Sequence, residues 1–181
     1  MLKIVIPETE LFNEDTYEII KVKRKELTLE HSLLSISKWE SKYKKPFLTK
    51  DKKTAEEVLE YIKCMTITQN VDQMAYLCLT KSNIDDVTEY IKDPMTATTF
   101  YDSSPSKQNK ETVTSELIYY WMVASNIPVE FERWHINRLL TLIRICSIKN
   151  DPNPKKMSRQ QVLSQNAALN KARRAALGSK G

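Results

Sequence analysis

The sequence predicts a mainly α protein: a helical domain with a small N-terminal antiparallel β-hairpin or three-stranded sheet and a C-terminal basic helix. Three observations lead there. The first is the near absence of glycine. Of 181 residues only Gly178 and Gly181 are glycine, which argues against folds rich in tight turns, since type II, I′ and II′ turns lean on it. The second is a change of hydrophobic period near residue 32, from alternation to helical spacing. The third is a long apolar run, Leu117-Ile-Tyr-Tyr-Trp-Met-Val, too rich in apolar residues for one exposed face and so expected at the centre of a helical body. The same glycine count excludes the P-loop and the dinucleotide fingerprint, whose backbones approach phosphate only where no Cβ intervenes.

Taken in order, residues 1–30 read as strands. Leu2, Ile4 and Ile6 alternate with Lys3 and Val5, and Tyr17-Glu-Ile-Ile-Lys-Val-Lys and Glu26-Leu-Thr-Leu-Glu have similar character. Asn13 or Asp15 is expected to take the positive φ of the turn between the first two strands. From Ser32, a cap residue, Leu33, Ile36, Trp39 and Tyr43 share a helical face, and Pro46 closes the element. Thr54-Ala-Glu-Glu57 is a capping box opening a helix with Val58, Leu59, Ile62 and Met65 inward. A shorter helix is expected over residues 72–79 and another over 83–92, stopped by Asp93-Pro94. Residues 96–110, rich in Thr, Ser and Asn, read as a linker. A helical hairpin follows, with one arm ending at Ser125, a turn at Asn126-Ile-Pro128, and a second arm over residues 129–148 burying Phe131, Trp134, Leu139 and Ile143. Asp151-Pro-Asn-Pro154 breaks the chain. Ser158-Arg-Gln-Gln161 then opens an alanine-rich helix with Gly178 at its C-terminal stop. The organisation is thus a β element (1–30), a helical body (31–149) and a basic arm (150–181). The arm's apolar stripe, Val162, Leu169, Ala172 and Ala176, is thin enough that it would be marginal alone in water.

Charge is distributed unevenly. The net charge is +5, but residues 149–181 carry eight basic side chains against Asp151, while the remaining chain carries 20 basic and 22 acidic groups. Such an arm can contact nucleic acid, an acidic protein face or an anionic surface, or simply be solvated. The aromatics that would stack on bases lie in the apolar helix, apart from the arm, so base reading is not indicated. Cys64, Cys78 and Cys146 lack metal or redox spacing and read as reduced core thiols of a cytosolic protein. With His31 and His135 as the histidines, a His/Cys zinc site is not expected, nor any cofactor. The longest apolar stretch, residues 117–127, is too short to span a bilayer, and the first residues lack a signal-peptide core.

No catalytic set emerges. Glu56-Glu57 and Asp85-Asp86 are neighbours that diverge around a helix. His31 stands at a strand-to-helix junction, where a cap or surface role is expected. Trp134-His135-Ile136-Asn137-Arg138 is the most polar knot; it can be an acid–base histidine site or a polar seam between helices, and the seam is the better reading because no second catalytic group converges on it.

The words Leu33-Leu-Ser-Ile-Ser-Lys-Trp-Glu, Lys45-Pro-Phe-Leu, Glu116-Leu-Ile-Tyr-Tyr-Trp-Met-Val, Ile127-Pro, Trp134-His-Ile-Asn-Arg-Leu-Leu-Thr-Leu-Ile-Arg-Ile-Cys and Pro154-Lys-Lys-Met-Ser-Arg resemble a family of tailed-bacteriophage proteins, the tail assembly chaperones. The resemblance spans residues 27–181. It implies a non-enzymatic protein of the host bacterial cytoplasm that coats the tape measure protein and keeps it soluble until tail tube subunits displace it, with self-association and other phage tail proteins as further partners. It supplies no catalytic residues. The residues expected to contact partners are Trp121, Trp134, His135 and Arg138 in the body, and Lys155, Lys156, Arg159, Arg173 and Arg174 in the arm. The alternative class is a virion structural protein, a head–tail connector or tail component, whose arm grips a neighbouring subunit or DNA. A DNA-binding regulator is a weaker third, for want of helix-turn-helix spacing.

Overall fold

A computed structural model describes residues 1–13, 17–100, 112–151 and 159–178. Its first thirty residues fold back on themselves once, and the two arms pair in two separate places. Strand β1 (Leu2–Ile6) pairs antiparallel with β4 (Lys25–Leu29), and β2 (Thr9–Asn13) with β3 (Glu18–Val22). Both ladders hold one register, with Leu2 opposite Leu29, Ile6 opposite Lys25 and Thr9 opposite Val22. Between them stands Pro7, which has no N–H to give a ladder. Ile4 faces Leu27 and both are buried, whereas Val5 between Ile4 and Ile6 points outward, the two-residue period of a half-buried strand.

This corrects the expected fold class. Among the described residues the fold is mixed α/β, 55% helical and 15% strand, with two two-stranded antiparallel sheets, rather than mainly α with a single hairpin or three-stranded sheet. Pairing β1 with β4 encloses residues 7–24 and continues the register of the nested β2–β3 ladder, so one long hairpin is interrupted into two short ladders, which alternation within each strand does not reveal. The other edge of β4 is occupied by the chain leaving α2: Ile67 N–H donates to the Thr28 carbonyl (2.8 Å) and Glu30 N–H to the Met65 carbonyl (2.9 Å), so that edge is not left open. The expected left-handed turn residue Asp15 lies outside the described residues. Asn13 is the last residue of β2, and it is Tyr17 that takes φ of 55°.

The helices begin where short polar side chains can satisfy their first N–H groups. Helix α1 (Leu33–Tyr43) is capped reciprocally by Ser32 and Ser35, α2 (Ala55–Met65) by Thr54 and Glu57, and α3 (Lys81–Lys92) by Thr80 and Asn83. The segment Gln73–Cys78, expected as a helix, is a 3-10 turn capped by Asp72. Helix α4 spans Ser115–Ala124, a second 3-10 turn spans Val129–Arg133, α5 spans Ile136–Lys149 and α6 spans Arg159–Leu177.

Helix α1 is the hub. Its Leu33, Ile36 and Trp39 are almost fully buried, as are Ile62 and Met65 of α2, Ile118 and Met122 of α4, Ile136 and Leu139 of α5, and the inward residues of the β1–β4 sheet. A buried carboxylate fastens this hub: Glu40 accepts the Phe47 N–H at 2.7 Å and, 75 residues away, the Ser115 N–H at 2.8 Å.

Two expectations about the second half change. Helix α4 is not central. It buries Ser115, Ile118 and Met122 against α1 and leaves Tyr120 (66%) and Val123 (76%) exposed. The arm expected as one helix over 129–148 is broken at Trp134 and His135, because Ile136 N–H, an unpaired first-turn donor, bonds to the His31 carbonyl at 2.8 Å and His135 becomes the cap of α5. Among the described residues, none of α6 joins the core.

Candidate functional site

The break before α5 turns what would be a closed helical hairpin into a cleft. Helix α4 packs on α1, α5 starts beside His31 and Ser32 at the junction of β4 and α1, and between α4 and α5 lies a space of about 810 Å³. Trp121 and Ala124 form its α4 wall, and Leu140, Ile143 and Cys146 its α5 wall. These are one-turn and two-turn spacings, so each helix offers a stripe. Ser147, Asn150 and Asp151 close one end with polar groups, and Arg144 on the α5 wall lies 4.0 Å from the ring centroid of Phe100. Beyond the rim, the exposed Tyr120 and Val123 extend the apolar surface of α4. A cleft with two apolar walls and a polar end is shaped to take the apolar side of an amphipathic helix.

The polar knot of the sequence is split by the structure into two assemblies. Trp134 and Arg138 form a half-exposed stack: Phe131 lies parallel to the indole at 4.1 Å, and the Arg138 guanidinium lies 4.1 Å from its centroid. Beside it Tyr119 donates to Glu132 at 2.7 Å, tying α4 to the 3-10 turn, and burial followed by this carboxylate pushes the phenol's pKa above its ordinary value.

His135 turns the other way, into the interior. Its Nδ1 accepts the Asn137 N–H (3.3 Å), so the proton sits on Nε2, which donates to the Tyr90 carbonyl (3.0 Å). His31, expected at a cap or the surface, is only 2% exposed and meets the His135 ring edge-on at 5.0 Å. Its Nδ1 pairs with the Tyr61 hydroxyl, which also reaches Ser35 Oγ at 3.3 Å. Burial, then the proximity of His135, depresses the His31 pKa to about 3, and burial lowers that of His135. Both imidazoles are therefore neutral near pH 7, and their nitrogens hold α2, α3 and the start of α5 together. This is the arrangement of a structural seam.

Of the residues expected to contact partners, Trp121 lines the cleft, and Trp134 and Arg138 form their stack. His135 is a buried cap of α5 whose two ring nitrogens are engaged inside the protein. Arg173 and Arg174 are exposed on α6. Lys155, Lys156 and the side chain of Arg159 lie outside the described residues. Tyr120, Val123 and Leu140 are not singled out in the sequence one by one, although the run Leu117–Val123 as a whole suits an apolar groove. The signal on α4 is its excess of apolar residues over what one buried face needs.

Cys78 is buried and Cys64 and Cys146 are half-buried, all three as free thiols, with burial raising the pKa of Cys64. Among the described residues no group of three or more His, Cys, Asp or Glu side chains is placed to hold a metal ion, and no helix is long and apolar enough to cross a membrane. No protein-family model, no characterised protein and no solved structure matches the chain.

Proposed function

We propose that this chain is a non-enzymatic tail assembly chaperone of a tailed bacteriophage, acting in the cytoplasm of the bacterial host, and that its α4–α5 cleft binds helical segments of the tape measure protein. The observation that carries the reading is the cleft with its flanking face. Two apolar walls and the exposed Tyr120 and Val123 form a surface a monomer does not need. The sequence words that resemble the chaperone family include the α4 wall and much of α5, so the resemblance and the geometry fall on the same residues. The mechanism is occlusion. A long amphipathic polypeptide aggregates through its apolar stripe, and seating that stripe between α4 and α5 removes it from water until tail subunits compete for it.

The test is co-expression with the tape measure protein of the same phage. The expected result is a soluble complex of the two and absence of this chain from purified virions. An insoluble tape measure protein together with this chain in virions overturns the proposal. The second reading, a virion structural component, is favoured by α6, whose exposed Lys171, Arg173 and Arg174 project from a helix unattached to the core among the described residues. That reading requires the chain in virions and loss of its incorporation when residues 150–181 are removed.

A further inference from the structure

A second cavity, of about 380 Å³, lies between α2 and α3 and shares no lining residue with the α4–α5 cleft. Its volume is within the range of about 300–1,000 Å³ typical of small-molecule sites. Val58 and Ile62 of α2 and Ile84, Val87 and Ile91 of α3 supply aliphatic walls, and Phe47 and the buried Tyr61 add aromatic ones. Two cations stand at this apolar space, Lys53 and Lys92.

Lys53 is the informative one. Its ammonium donates to the Phe47 carbonyl at 2.8 Å and sits 4.3 Å from the Phe47 ring centroid. An ammonium has three N–H donors, so two remain after that bond. Glu57 and Asp51 are close enough to favour its charge, yet neither forms an ion pair with it among the described residues. Glu57 is already engaged by Lys45 at 2.9 Å and by the Thr54 N–H at 2.9 Å. Packing against the rings removes water from Lys53 and lowers its pKa, with burial as the main cause. A cation drawn out of water beside an apolar cavity, with spare donors and no paired carboxylate, is matched by an anion attached to an apolar body.

We infer that the α2–α3 cavity is a binding site for a small anionic amphiphile, a short alkyl or aryl carboxylate whose apolar part lies among Val58, Ile84, Val87 and Ile91 and whose carboxylate meets Lys53, with Lys92 adding to the field. The inference stands independently of the chaperone reading.

The test uses the full chain with decanoate as the probe, and decanol and decylamine as neutral and cationic matches, followed by methyl resonances in NMR titrations. Decanoate is expected to shift the Val58, Ile84, Val87 and Ile91 methyls saturably, decanol more weakly, and decylamine not at all. Lys53→Met, which keeps the aliphatic stem, is expected to weaken decanoate binding at least about tenfold, the loss typical of a charged hydrogen bond. Thr88→Trp, at an exposed position on the lining, is expected to block both decanoate and decanol and serves if Lys53→Met does not fold. Equal response to decanoate and decylamine, or shifts confined to other methyls, overturns the inference. So does displacement of decanoate by a peptide bearing Glu beside Leu at lower concentration, which assigns the cavity to a protein partner.

Discussion

His31 and His135 show at the scale of single residues why burial decides what a side chain does. The ordinary histidine pKa is 6.5, and in the folded chain that of His31 is held near 3. As pH falls below 6.5, the unfolded chain takes up a proton that the native chain refuses, so folding stability is complete above that value and is lost on the way down to about 3. His135, shifted the same way, adds to the loss. Urea unfolding between pH 7 and pH 5 is therefore expected to give falling stability, at most about 1.4 kcal/mol per pH unit for each proton. His31→Gln, which retains one donor and one acceptor without titrating, is expected to flatten the slope; an unchanged slope would contradict this account. In sequence His31 read as a surface or capping residue, because the bond from Ile136 N–H to its carbonyl joins positions about a hundred residues apart. The left-handed positions were hidden for a related reason. With no glycine to mark them, Tyr17, Lys44, Asn70, Met95 and Asn126 take positive φ, and only the asparagines among them commonly signal it.

The secondary elements divide by what sets their ends. The starts of α1 and α2 were legible, because Ser32 and the Thr54–Glu57 box act within four residues. The start of α5 was not, since its cap is a histidine fixed by a bond from another element. Glu40 is the strongest case of an element end secured at a distance. Its two carboxylate oxygens hold the first N–H of α4 and the Phe47 N–H. Glu40→Ala strands two donors, Ser115 N–H among them, and is expected to cost about 2–4 kcal/mol, with Glu40→Gln intermediate because its amide keeps one acceptor. A loss below about 1 kcal/mol for Glu40→Ala in chemical denaturation would show that the staple is dispensable. The cleft walls make the complementary prediction. Ala124 is exposed on α4 and lines the cleft, so Ala124→Glu is expected to leave unfolding within about 0.5 kcal/mol of the parent. It is also expected to weaken capture of the tape measure protein at least about tenfold by burying a charge against an apolar partner. Unchanged capture would place the partner elsewhere. Sequence periodicity does not distinguish an apolar helix at the centre of a body from one that turns half its circumference to the surface, and α4 is of the second kind.

For the whole molecule, the body and α6 are separable in energetic terms. The core runs from the sheets through α1 to α5, and among the described residues α6 contributes nothing to it. Ending the chain after Asp151 is expected to move the melting temperature by less than about 2 °C, since a change of 1 kcal/mol shifts Tm by about 2–4 °C at this size. A fall of more than about 5 °C would mean that the arm packs on the body. The basic arm is legible from composition, whereas the cleft requires the fold: Trp121 and Leu140 line one space only because α4 leans on α1 while α5 is tied to the junction of β4 and α1. That cleft is the centre of the account, and site-specific photo-crosslinking in the complex with the tape measure protein tests it most directly. A photoreactive residue at position 124 is expected to crosslink to the tape measure protein, while one at position 86, on the exposed side of α3, is not. Crosslinks from position 86 with none from position 124, in a complex shown to be intact, would contradict it.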